Sequence, residues 1–384
     1  MPANISDHDA RPRASASSIA EIDLGALLSN LQQIRAQIGD REILAVVKAN
    51  AYGHGALPIA AYLSRNMPKP PLWAVAFLEE GIVLRAGGIS GPIVLMTGAP
   101  QEQAGDIVAH DLSPVIFEKS TLQALSRAAL RAEKEMTVHV KIDTGMGRLG
   151  ILPAEALPFI EAVTKAPGIR LVGILSHFAH PDLVDADFTQ GQLLSLQKIM
   201  GELEKGGIKV PYCHMANSAA VVGLNAAYLT LVRPGLMLYG YSNLENKERF
   251  QLKPVMQVKA RVIALKKLPP GSSISYGRTY FTKKESRIAT VSIGYADGYP
   301  CSLSNRGEMI AKGIRVPVVG RVCMDMTLLD VTAVPDLKLG DWVTVMGAEG
   351  EQCVWADELA RWAETHPYEI LCGIGPRVRR QYIS

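Results

Sequence analysis

The first two thirds of this 384-residue chain alternate short apolar runs with longer segments that have helical periodicity. Eight of the apolar runs have the length of buried strands, and they occupy residues 43–47, 72–75, 93–96, 112–116, 138–143, 171–176, 212–215 and 229–232. Several are apolar throughout, which is typical of strands covered on both faces of a parallel sheet. Strands of this kind, each separated from the next by a helix, predict an α/β fold with an N-terminal closed (β/α)8 barrel of the TIM type.

The helical segments between these runs support the same architecture. We predict helices at residues 24–38, 56–64, 79–86, 101–109, 120–134, 154–164 and 188–204. In the fifth of them Leu122, Leu125, Ala129 and Leu130 recur at helical spacing, and Ser120 is the expected N-cap. An open doubly wound sheet is the alternative, but no Gly-x-Gly-x-x-Gly sequence follows any predicted strand to suggest a dinucleotide site.

The pattern changes after about residue 246, where strands become more frequent and helices rare. We predict strands at 255–265, 287–294, 315–324 and 341–346, separated by Gly and Pro turns, and one helix at 356–363. The chain is therefore divided into three parts. Residues 1–23 form an N-terminal arm with a first strand that we expect to pack with the β domain, residues 24–246 the barrel, and residues 247–384 a mostly-β domain.

Composition and charge narrow the class of protein. The 40 Lys and Arg residues nearly balance the 37 Asp and Glu residues, and a net charge of +3 does not favour binding to nucleic acid or to membranes. No apolar run approaches a membrane span, and residues 1–18 lack the apolar core of a signal peptide. The five cysteines never occur as Cys-x-x-Cys, which argues against a disulfide framework and against a metal site. We expect a cytoplasmic protein.

The most unusual segment ends the first predicted barrel strand, where Lys48 follows Ala-Val-Val and precedes Ala-Asn-Ala-Tyr-Gly-His-Gly. Burying an ammonium without a partner is costly, so lysine is rare in strands covered on both faces. Catalytic groups of barrels lie at the carboxyl ends of the strands, and a desolvated lysine there can attack a carbonyl cofactor. A strand end that has reached solvent is the alternative. The following glycines favour a ligand site, because they let the backbone approach a ligand closely.

Further motifs follow in a fixed order along the chain. They are Lys141-Ile-Asp-Thr-Gly-Met-Gly-Arg-Leu-Gly150, Ser176-His-Phe-Ala179, Ala216-Asn-Ser-Ala-Ala220, Val232-Arg-Pro-Gly235, Ser275-Tyr-Gly-Arg-Thr-Tyr280, Gly294-Tyr-Ala-Asp-Gly-Tyr299, Gly320-Arg-Val-Cys-Met-Asp325 and Pro367-Tyr-Glu-Ile370. Together with the Lys48 segment they resemble the alanine racemase family over residues 20–382. The resemblance implies an enzyme dependent on pyridoxal 5'-phosphate (PLP).

The resemblance implies roles for four residues around the reacting carbon. Lys48 would bond to PLP and serve as one catalytic base, and Tyr276 would serve as the other on the opposite face of the substrate. Racemisation needs two bases, because inversion removes a proton from one face and returns it on the other. His177 would hydrogen-bond the tyrosine, whose free pKa of about 10 requires an activating neighbour near neutrality. Arg233 would face the pyridine nitrogen of PLP, where a permanently charged arginine disfavours a proton.

The resemblance also implies the other ligands of cofactor and substrate. The residues implied to bind the cofactor, besides Lys48, are Tyr52, Arg148, His177, Asn217, Ser218, Arg233, Gly235, Leu236 and Tyr368. Those implied to bind the substrate carboxylate are Arg148, Met324 and Asp325. Carbamylated Lys141 would orient Arg148, and Tyr295 and Asp182 are expected in the substrate corridor. The sequence pattern supports part of this set independently of the resemblance. Asn217 and Ser218 follow the seventh predicted strand, and a helix that begins there would have an N-terminus suited to bind phosphate.

One position departs from the family pattern. Family members often carry an arginine shortly after the motif at 294–299, whereas here Pro300 is followed by Cys301. We therefore expect a substrate corridor that is less positive than in these family members, and we expect the range of amino acids accepted as substrates to differ accordingly.

The implied assembly is a homodimer with shared active sites, because in the family Lys48 of one chain meets Tyr276 of the other. The implied function is interconversion of L- and D-alanine, which would supply D-alanine for peptidoglycan. Three alternatives remain. A racemase of serine or larger amino acids is barely separated by the sequence. A non-catalytic PLP-binding barrel would lack the domain that carries Tyr276, and a decarboxylase of this architecture would require a carboxylate where Arg233 stands.

Overall fold

The computed structural model describes residues 16–180, 185–242 and 250–384. Its strands are β1 (Ser18–Asp23), β2 (Glu42–Val46), β3 (Leu72–Val75), β4 (Ile93–Leu95), β5 (Ser113–Ile116), β6 (Met136–Lys141), β7 (Ile169–Leu175), β8 (Tyr212–His214), β9 (Leu231–Val232), β10 (Met256–Leu268), β11 (Ser273–Ile274), β12 (Tyr280–Phe281), β13 (Ser286–Val291), β14 (Glu308–Ala311), β15 (Ile314–Pro317), β16 (Thr327–Asp330), β17 (Trp342–Glu349), β18 (Gln352–Val354) and β19 (Arg379–Ile383). Its helices are α1 (Leu24–Ile38), α2 (Lys48–Tyr52), α3 (Ala56–Asn66), α4 (Leu78–Ala86), α5 (Ala104–Ala109), α6 (Lys119–Arg131), α7 (Ala156–Lys165), α8 (Ala186–Lys205), α9 (Ser218–Gly223), α10 (Ala356–Ala363) and α11 (Pro367–Gly373).

In the part of the chain that the structure describes, eight parallel strands, β2 to β9, close into a barrel. Each strand pairs with the next, and β2 pairs with β9 to complete the ring. Apolar side chains from successive strands fill the interior, among them Leu44, Leu72, Val94, Val115 and Leu175. The predicted barrel is therefore confirmed, and the continuous apolar runs are explained by burial on both sides of each strand.

Helix α6 shows how the sequence periodicity maps onto burial. Leu122, Leu125 and Ala129 are buried as predicted, but Leu130 is 54% exposed. Leu130 falls just outside the buried stripe, because it lies one residue, or about 100°, beyond Ala129 on the helix. The helix begins at Lys119, so the expected N-cap Ser120 is inside the first turn rather than before it.

The C-terminal region is mostly β, as predicted. One sheet runs in the order β15-β14-β17-β10-β1-β19, with β13 and β16 extending from β10 and β18 pairing with β17. Strand β1 pairs antiparallel with β10 and parallel with β19. The N-terminal strand is therefore hydrogen-bonded into the C-terminal sheet, although more than 200 residues separate them in the sequence.

Two local expectations for this region are wrong. The strand expected over 315–324 ends at Pro317, and the residues after it turn through Gly320, whose φ of +78° interrupts an extended strand. Helix α11 was not expected, although Pro at its first position is a known start signal for a helix. The predicted helix at 356–363 is confirmed as α10.

The chain separates into two compact units. The β unit contains the described residues within 1–27, 52–58 and 254–384, and the barrel unit those within 28–51 and 59–253. The boundary proposed from the sequence at 246/247 lies outside the described residues. None of the helices in the described ranges combines the length and apolar character needed to cross a bilayer.

Candidate active site

Lys48 lies two residues after the end of barrel strand β2 and begins α2, whose single turn is left-handed. Residues 49–52 all have φ between 49° and 55°, although none of them is glycine. A left-handed conformation costs about 1–2 kcal/mol per residue for L-amino acids, so other contacts must stabilise this turn. One is the bond from the Ala51 N–H to the carbonyl of Val47 at 2.8 Å. Strain of this kind concentrates at functional sites.

Glu80, which the sequence analysis did not single out, holds the start of the turn. One of its carboxylate oxygens accepts from the Ala49 N–H at 2.6 Å, and the other accepts from the Ala76 N–H at 2.6 Å. A charged acceptor makes a stronger hydrogen bond than a neutral one. Glu80 therefore fixes the backbone that follows Lys48. No capping signal marks Glu80 in the sequence, because the residue three positions earlier is Phe77, whose side chain cannot cap a helix.

Arg233 follows β9 and is only 4% exposed. Its Nη2 donates to the carbonyls of Ser176 at 2.8 Å and Met215 at 3.0 Å, and to His177 Nδ1 at 3.1 Å. Its Nη1 donates to His214 Nδ1 at 3.1 Å. Burial lowers the pKa of Arg233 to about 10, so the guanidinium stays charged at neutral pH. The structure thus brings two predicted site residues, His177 and Arg233, into a direct contact that the sequence did not predict.

The neighbouring histidines are held neutral. The pKa of His177 lies well below its usual value, because burial and the charge of Arg233 disfavour the imidazolium. The same two causes place the pKa of His214 well below its usual value. His214 was not predicted, although a histidine in an otherwise apolar barrel strand was a usable signal.

Lys141, at the end of β6, lies close enough to Arg233 to be affected by its charge. Burial, followed by the charges of Arg233 and Arg148, lowers the pKa of Lys141 to about 8. A substantial fraction of this amine is therefore neutral close to physiological pH, which makes it a nucleophile.

The loop that carries Arg148 is organised by Asp143. Its Oδ1 accepts from the N–H groups of Gly145 at 3.0 Å, Met146 at 2.7 Å and Gly147 at 3.1 Å. Partial burial raises the pKa of Asp143, but these N–H donors lower it more, so the net shift is downward. The carboxylate holds the loop in one shape, from which Arg148 projects as an exposed side chain.

A group of hydrogen-bond donors forms where β8 and β9 end. Ser218 Oγ accepts from the N–H groups of Gly235 at 3.0 Å and Met237 at 3.3 Å, so its own hydrogen remains to be donated elsewhere. Asn217 caps α9 by accepting from the Ala220 N–H at 3.0 Å. Of the predicted phosphate ligands, the structure therefore brings Ser218 and Gly235 together, with buried Leu236 next in the chain.

In the β unit, Tyr52 and Tyr368 pack edge to face with ring centroids 5.5 Å apart. Burial raises the pKa of Tyr52, and the neighbouring Tyr368 and Cys372 raise it further. Burial also raises the pKa of Tyr368. Both side chains therefore remain phenols at neutral pH and can donate hydrogen bonds to an anion.

The β unit also contains a cavity of about 890 Å³. It is lined by predicted residues together with their neighbours, among them Tyr276, Tyr295, Cys301, Met324 and Asp325. Tyr276 is 72% exposed and Met324 51% exposed. Large side chains with such exposure beside a cavity mark a surface suited to a partner or a ligand.

Arg377 ties this cavity wall to the body of the β unit, and the sequence analysis did not identify it. Its guanidinium pairs with Asp325 at 2.8 Å and with the buried Asp297 at 2.9 Å. Asp297 also accepts from the Gly294 N–H at 2.9 Å. The aspartate of the Gly-Tyr-Ala-Asp-Gly-Tyr motif therefore has a structural role, which is to orient the residues around Asp325.

The predicted residues fall into two groups. Lys48, Lys141, Arg148, His177 and Arg233 belong to the barrel unit, with the donors near Ser218. Tyr52, Tyr276, Tyr295, Met324, Asp325 and Tyr368 belong to the β unit. Asp182, expected in the substrate corridor, lies outside the described residues. Within the described ranges no group of three or more His, Cys, Asp or Glu side chains is arranged to hold a metal ion.

Two family models match almost the whole chain in sequence. Residues 22–243 match "Alanine racemase, N-terminal domain" and residues 255–382 match "Alanine racemase, C-terminal domain". The chain belongs to the alanine racemase family. This confirms the predicted family, the isomerase class and the dependence on PLP that characterises the family.

Individual relatives support this family assignment over almost the whole length of both chains. The alanine racemase of Halothermothrix orenii is 41% identical over 365 residues, which cover 94% of this chain and 96% of the relative. The solved alanine racemase of Clostridium difficile 630 is 36% identical, with a TM-score of 0.91 and 97% of each chain covered. That of Bacillus anthracis, solved with bound L-Ala-P, is 33% identical, with a TM-score of 0.89 and coverage of 97% and 96%. The predicted fold class is thereby confirmed.

Proposed function

We propose that this protein interconverts L- and D-alanine through two bases, Lys48 and Tyr276, in a homodimer whose active sites are shared between chains. The observation that carries the proposal is the placement of Lys48 on a strained turn at the mouth of the barrel, in the same unit as the buried pair Arg233 and His177. Homologues named alanine racemase, and the complex of one of them with L-Ala-P, support alanine as the substrate.

The donor set fits PLP. Ser218 Oγ and the phenols of Tyr52 and Tyr368 are hydrogen-bond donors of the kind a phosphate group requires, and Asn217, Gly235 and Leu236 complete the proposed phosphate site. Arg233 presents a buried cation suited to an unprotonated pyridine nitrogen. When bound, PLP acidifies the α-hydrogen of the amino acid by accepting electron density into its ring.

The two proposed bases work from opposite faces of the α-carbon. Lys48 Nζ accepts or returns the proton on one face, and Tyr276 Oη does so on the other. Fixed positions for both groups make the proton transfers effectively intramolecular. Support for a partner-supplied Tyr276 is its 72% exposure within its own chain, which leaves the phenol available to a second molecule.

His177 is suited to activate Tyr276 because of its own hydrogen bond to Arg233. An arginine can only donate, so His177 Nδ1 must accept, and the hydrogen of the neutral ring is on Nε2. We propose that this Nε2–H donates to Tyr276 Oη. A donor at Oη stabilises the negative charge that this oxygen carries when Tyr276 acts as a base.

We propose that the substrate carboxylate is bound by Arg148 of one chain and by Met324 and Asp325 of its partner. Arg148 offers a guanidinium fork that matches a carboxylate. Met324 would donate its backbone N–H, and Asp325, held by Arg377, would close the loop over the substrate. We further propose that the reaction takes place in the cytoplasm and supplies D-alanine for peptidoglycan.

The proposal is tested with Lys48→Ala and Tyr276→Phe in the PLP-loaded enzyme. Circular dichroism of L- and D-alanine should show losses of at least about a hundredfold in both directions, the range expected for a lost acid–base group. In D₂O, Tyr276→Phe should still exchange the α-hydrogen of one enantiomer, because Lys48 serves its own face. Exchange of both enantiomers by this variant would refute the two-base assignment. Lys165→Ala and Tyr62→Phe are matched controls on α7 and α3, and they should keep wild-type rates.

A broader racemase is the second candidate, and Cys301 favours it. This thiol lines the cavity beside Tyr276 and Tyr295, where relatives often place an arginine. With a thiol in place of a large cation, we expect the opening to be wider and less positive, so that larger or cationic amino acids can enter. Rates on alanine, serine, lysine and arginine, compared between wild type and Cys301→Arg, decide between the candidates. If the wild type prefers lysine or arginine to alanine, the broader activity is correct.

A further inference from the structure

Three histidines and one arginine form a continuous hydrogen-bonded chain inside the barrel unit. The order is His177, Arg233, His214 and His139, and each of the three links measures 3.1 Å between nitrogens. His214 and His139 are 0% and 1% exposed, so water does not compete for their ring nitrogens. His139 lies in β6, two residues before Lys141, and is connected to Arg233 through His214.

The chain has one possible direction of donation. Arg233 carries only donors, so its Nη1 must donate to His214 Nδ1. The neutral His214 ring then has its hydrogen on Nε2, which donates to His139 Nδ1. The hydrogen of His139 is consequently on Nε2. The reverse arrangement would place an N–H of His214 against an N–H of the guanidinium.

The neighbouring strand leaves space for this particular nitrogen. A Cβ at Gly173, in β7, would lie 2.0 Å from His139 Nδ1, so any larger residue would displace the acceptor. The His139 ring also lies parallel to the ring of Tyr212, with centroids 6.2 Å apart. Glycine in the interior of a strand weakens that strand, but the absence of a side chain at Gly173 leaves room for the imidazole of His139.

We propose that His139 is a positioning residue, which holds His214 in the Nε2–H form and thereby fixes the orientation of Arg233. An effect of His139 on catalysis depends on the proposed function of Arg233. The effect of His139 on the tautomer of His214 does not depend on that function. Without an acceptor at position 139, the buried Nε2–H of His214 would be left without a hydrogen bond, which is unfavourable in a site closed to water. His214 would then change tautomer or rotate, and Arg233 would lose one of its hydrogen bonds.

The first test measures the tautomers in the holoenzyme. Protein labelled with ¹⁵N-histidine gives long-range proton–nitrogen spectra that distinguish Nδ1–H from Nε2–H rings, and single substitutions assign the signals. His139, His177 and His214 should be Nε2–H. His54 and His110 provide an internal contrast, because their Nδ1 atoms face the carbonyls of Tyr52 and Asp106 and should carry the hydrogen. An Nδ1–H form of His214 would overturn the proposal.

The second test uses a matched set of variants. His139→Asn keeps an oxygen acceptor close to the position of Nδ1, His139→Leu removes it, and Tyr212→Phe keeps the stacked ring. We expect His214 to remain Nε2–H in the Asn and Phe variants and to become a mixture in the Leu variant. The kcat should fall about tenfold in the Leu variant, with KM nearly unchanged, and should be largely restored by Asn.

If the His139→Leu variant fails to fold, Gly173→Ala takes its place, because it crowds Nδ1 without replacing the ring. Unchanged His214 tautomer and kcat in the variant that folds would show that His139 only fills space. The outcomes also separate this inference from the proposed function. A protein with Nε2–H rings but no racemisation refutes the function alone, whereas a racemase with an Nδ1–H His214 refutes the hydrogen-bonded chain alone.

Discussion

At the scale of single residues, Lys141 is in an environment that disfavours its own charge. The side chain is 5% exposed and has two guanidinium groups, Arg233 and Arg148, among its electrostatic neighbours. A cation in this position is unfavourable, whereas an anion would be stabilised by both arginines. Reaction of the neutral amine with CO₂ provides such an anion. A bond forms between Nζ and the carbon, one proton leaves to solvent, and a carbamate results.

We therefore predict that Lys141 is carbamylated and that the modification depends on pH. The amine with a pKa of about 8 is mostly protonated and unreactive below that value, so the carbamate should form faster as the pH rises through 8. Carbon NMR of protein equilibrated with ¹³C-bicarbonate should show one protected carbamate signal. Lys141→Arg is the control and should lack it. An intact mass of native protein without the added carboxyl group, at pH 8 with bicarbonate present, would contradict the prediction.

At the scale of elements, strand β19 stabilises the segment that follows the left-handed turn. Arg380 Nε donates to the carbonyl of Gly53 at 3.0 Å, and Tyr382 Oη donates to the carbonyl of His54 at 3.1 Å. A Cβ at Gly55, where φ is +101°, would lie 1.9 Å from Tyr382 Oη. Strand β19 and residues 53–55 therefore restrict each other's conformation.

This contact predicts a large effect for Gly55→Ala. Steric overlap and the unfavourable φ should lower the free energy of unfolding by about 2–4 kcal/mol in urea denaturation. Gly55→Ala combined with Tyr382→Leu should recover part of the loss, because the phenol is gone and only the backbone strain remains. Gly105→Ala is the control, since a Cβ there meets nothing within 4 Å and should change stability by less than about 1 kcal/mol. Equal effects at positions 55 and 105 would refute the contact.

The same elements show how far the sequence could predict the structure. Barrel strands were predictable because burial on both faces leaves short apolar runs rich in β-branched residues, each separated from the next by a longer helical pattern. The turn at 49–52 was not, because Ala and Tyr disfavour a positive φ, and the single residue that tolerates it, Asn50, does not predict four left-handed residues in a row. Glu80 was missed because its carboxylate acts on backbone far away in the sequence. Lys48 itself was predictable, since a lysine contradicts the apolar run that it ends.

At the scale of the whole molecule, the residues proposed for catalysis are divided between two units. The barrel unit contains Lys48 with Arg233 and His177, and the β unit contains Tyr276 beside a cavity. Sequence spacing could not show which residues share one active site, because that depends on how folded units and chains assemble. The family resemblance supplied this step, and the homodimer accordingly remains a prediction.

Mixing two inactive variants tests the shared site directly. Lys48→Ala and Tyr276→Phe chains, unfolded and refolded together in equal amounts, should form mixed dimers as half of the population. In a mixed dimer with shared sites, one site has both bases and the other has neither, so about a quarter of wild-type activity should return. If Lys48 and Tyr276 of the same chain formed the site, no mixture would regain activity. Each variant refolded alone is the control, and dimer formation is checked by light scattering, so that a failure to associate is distinguished from unshared sites.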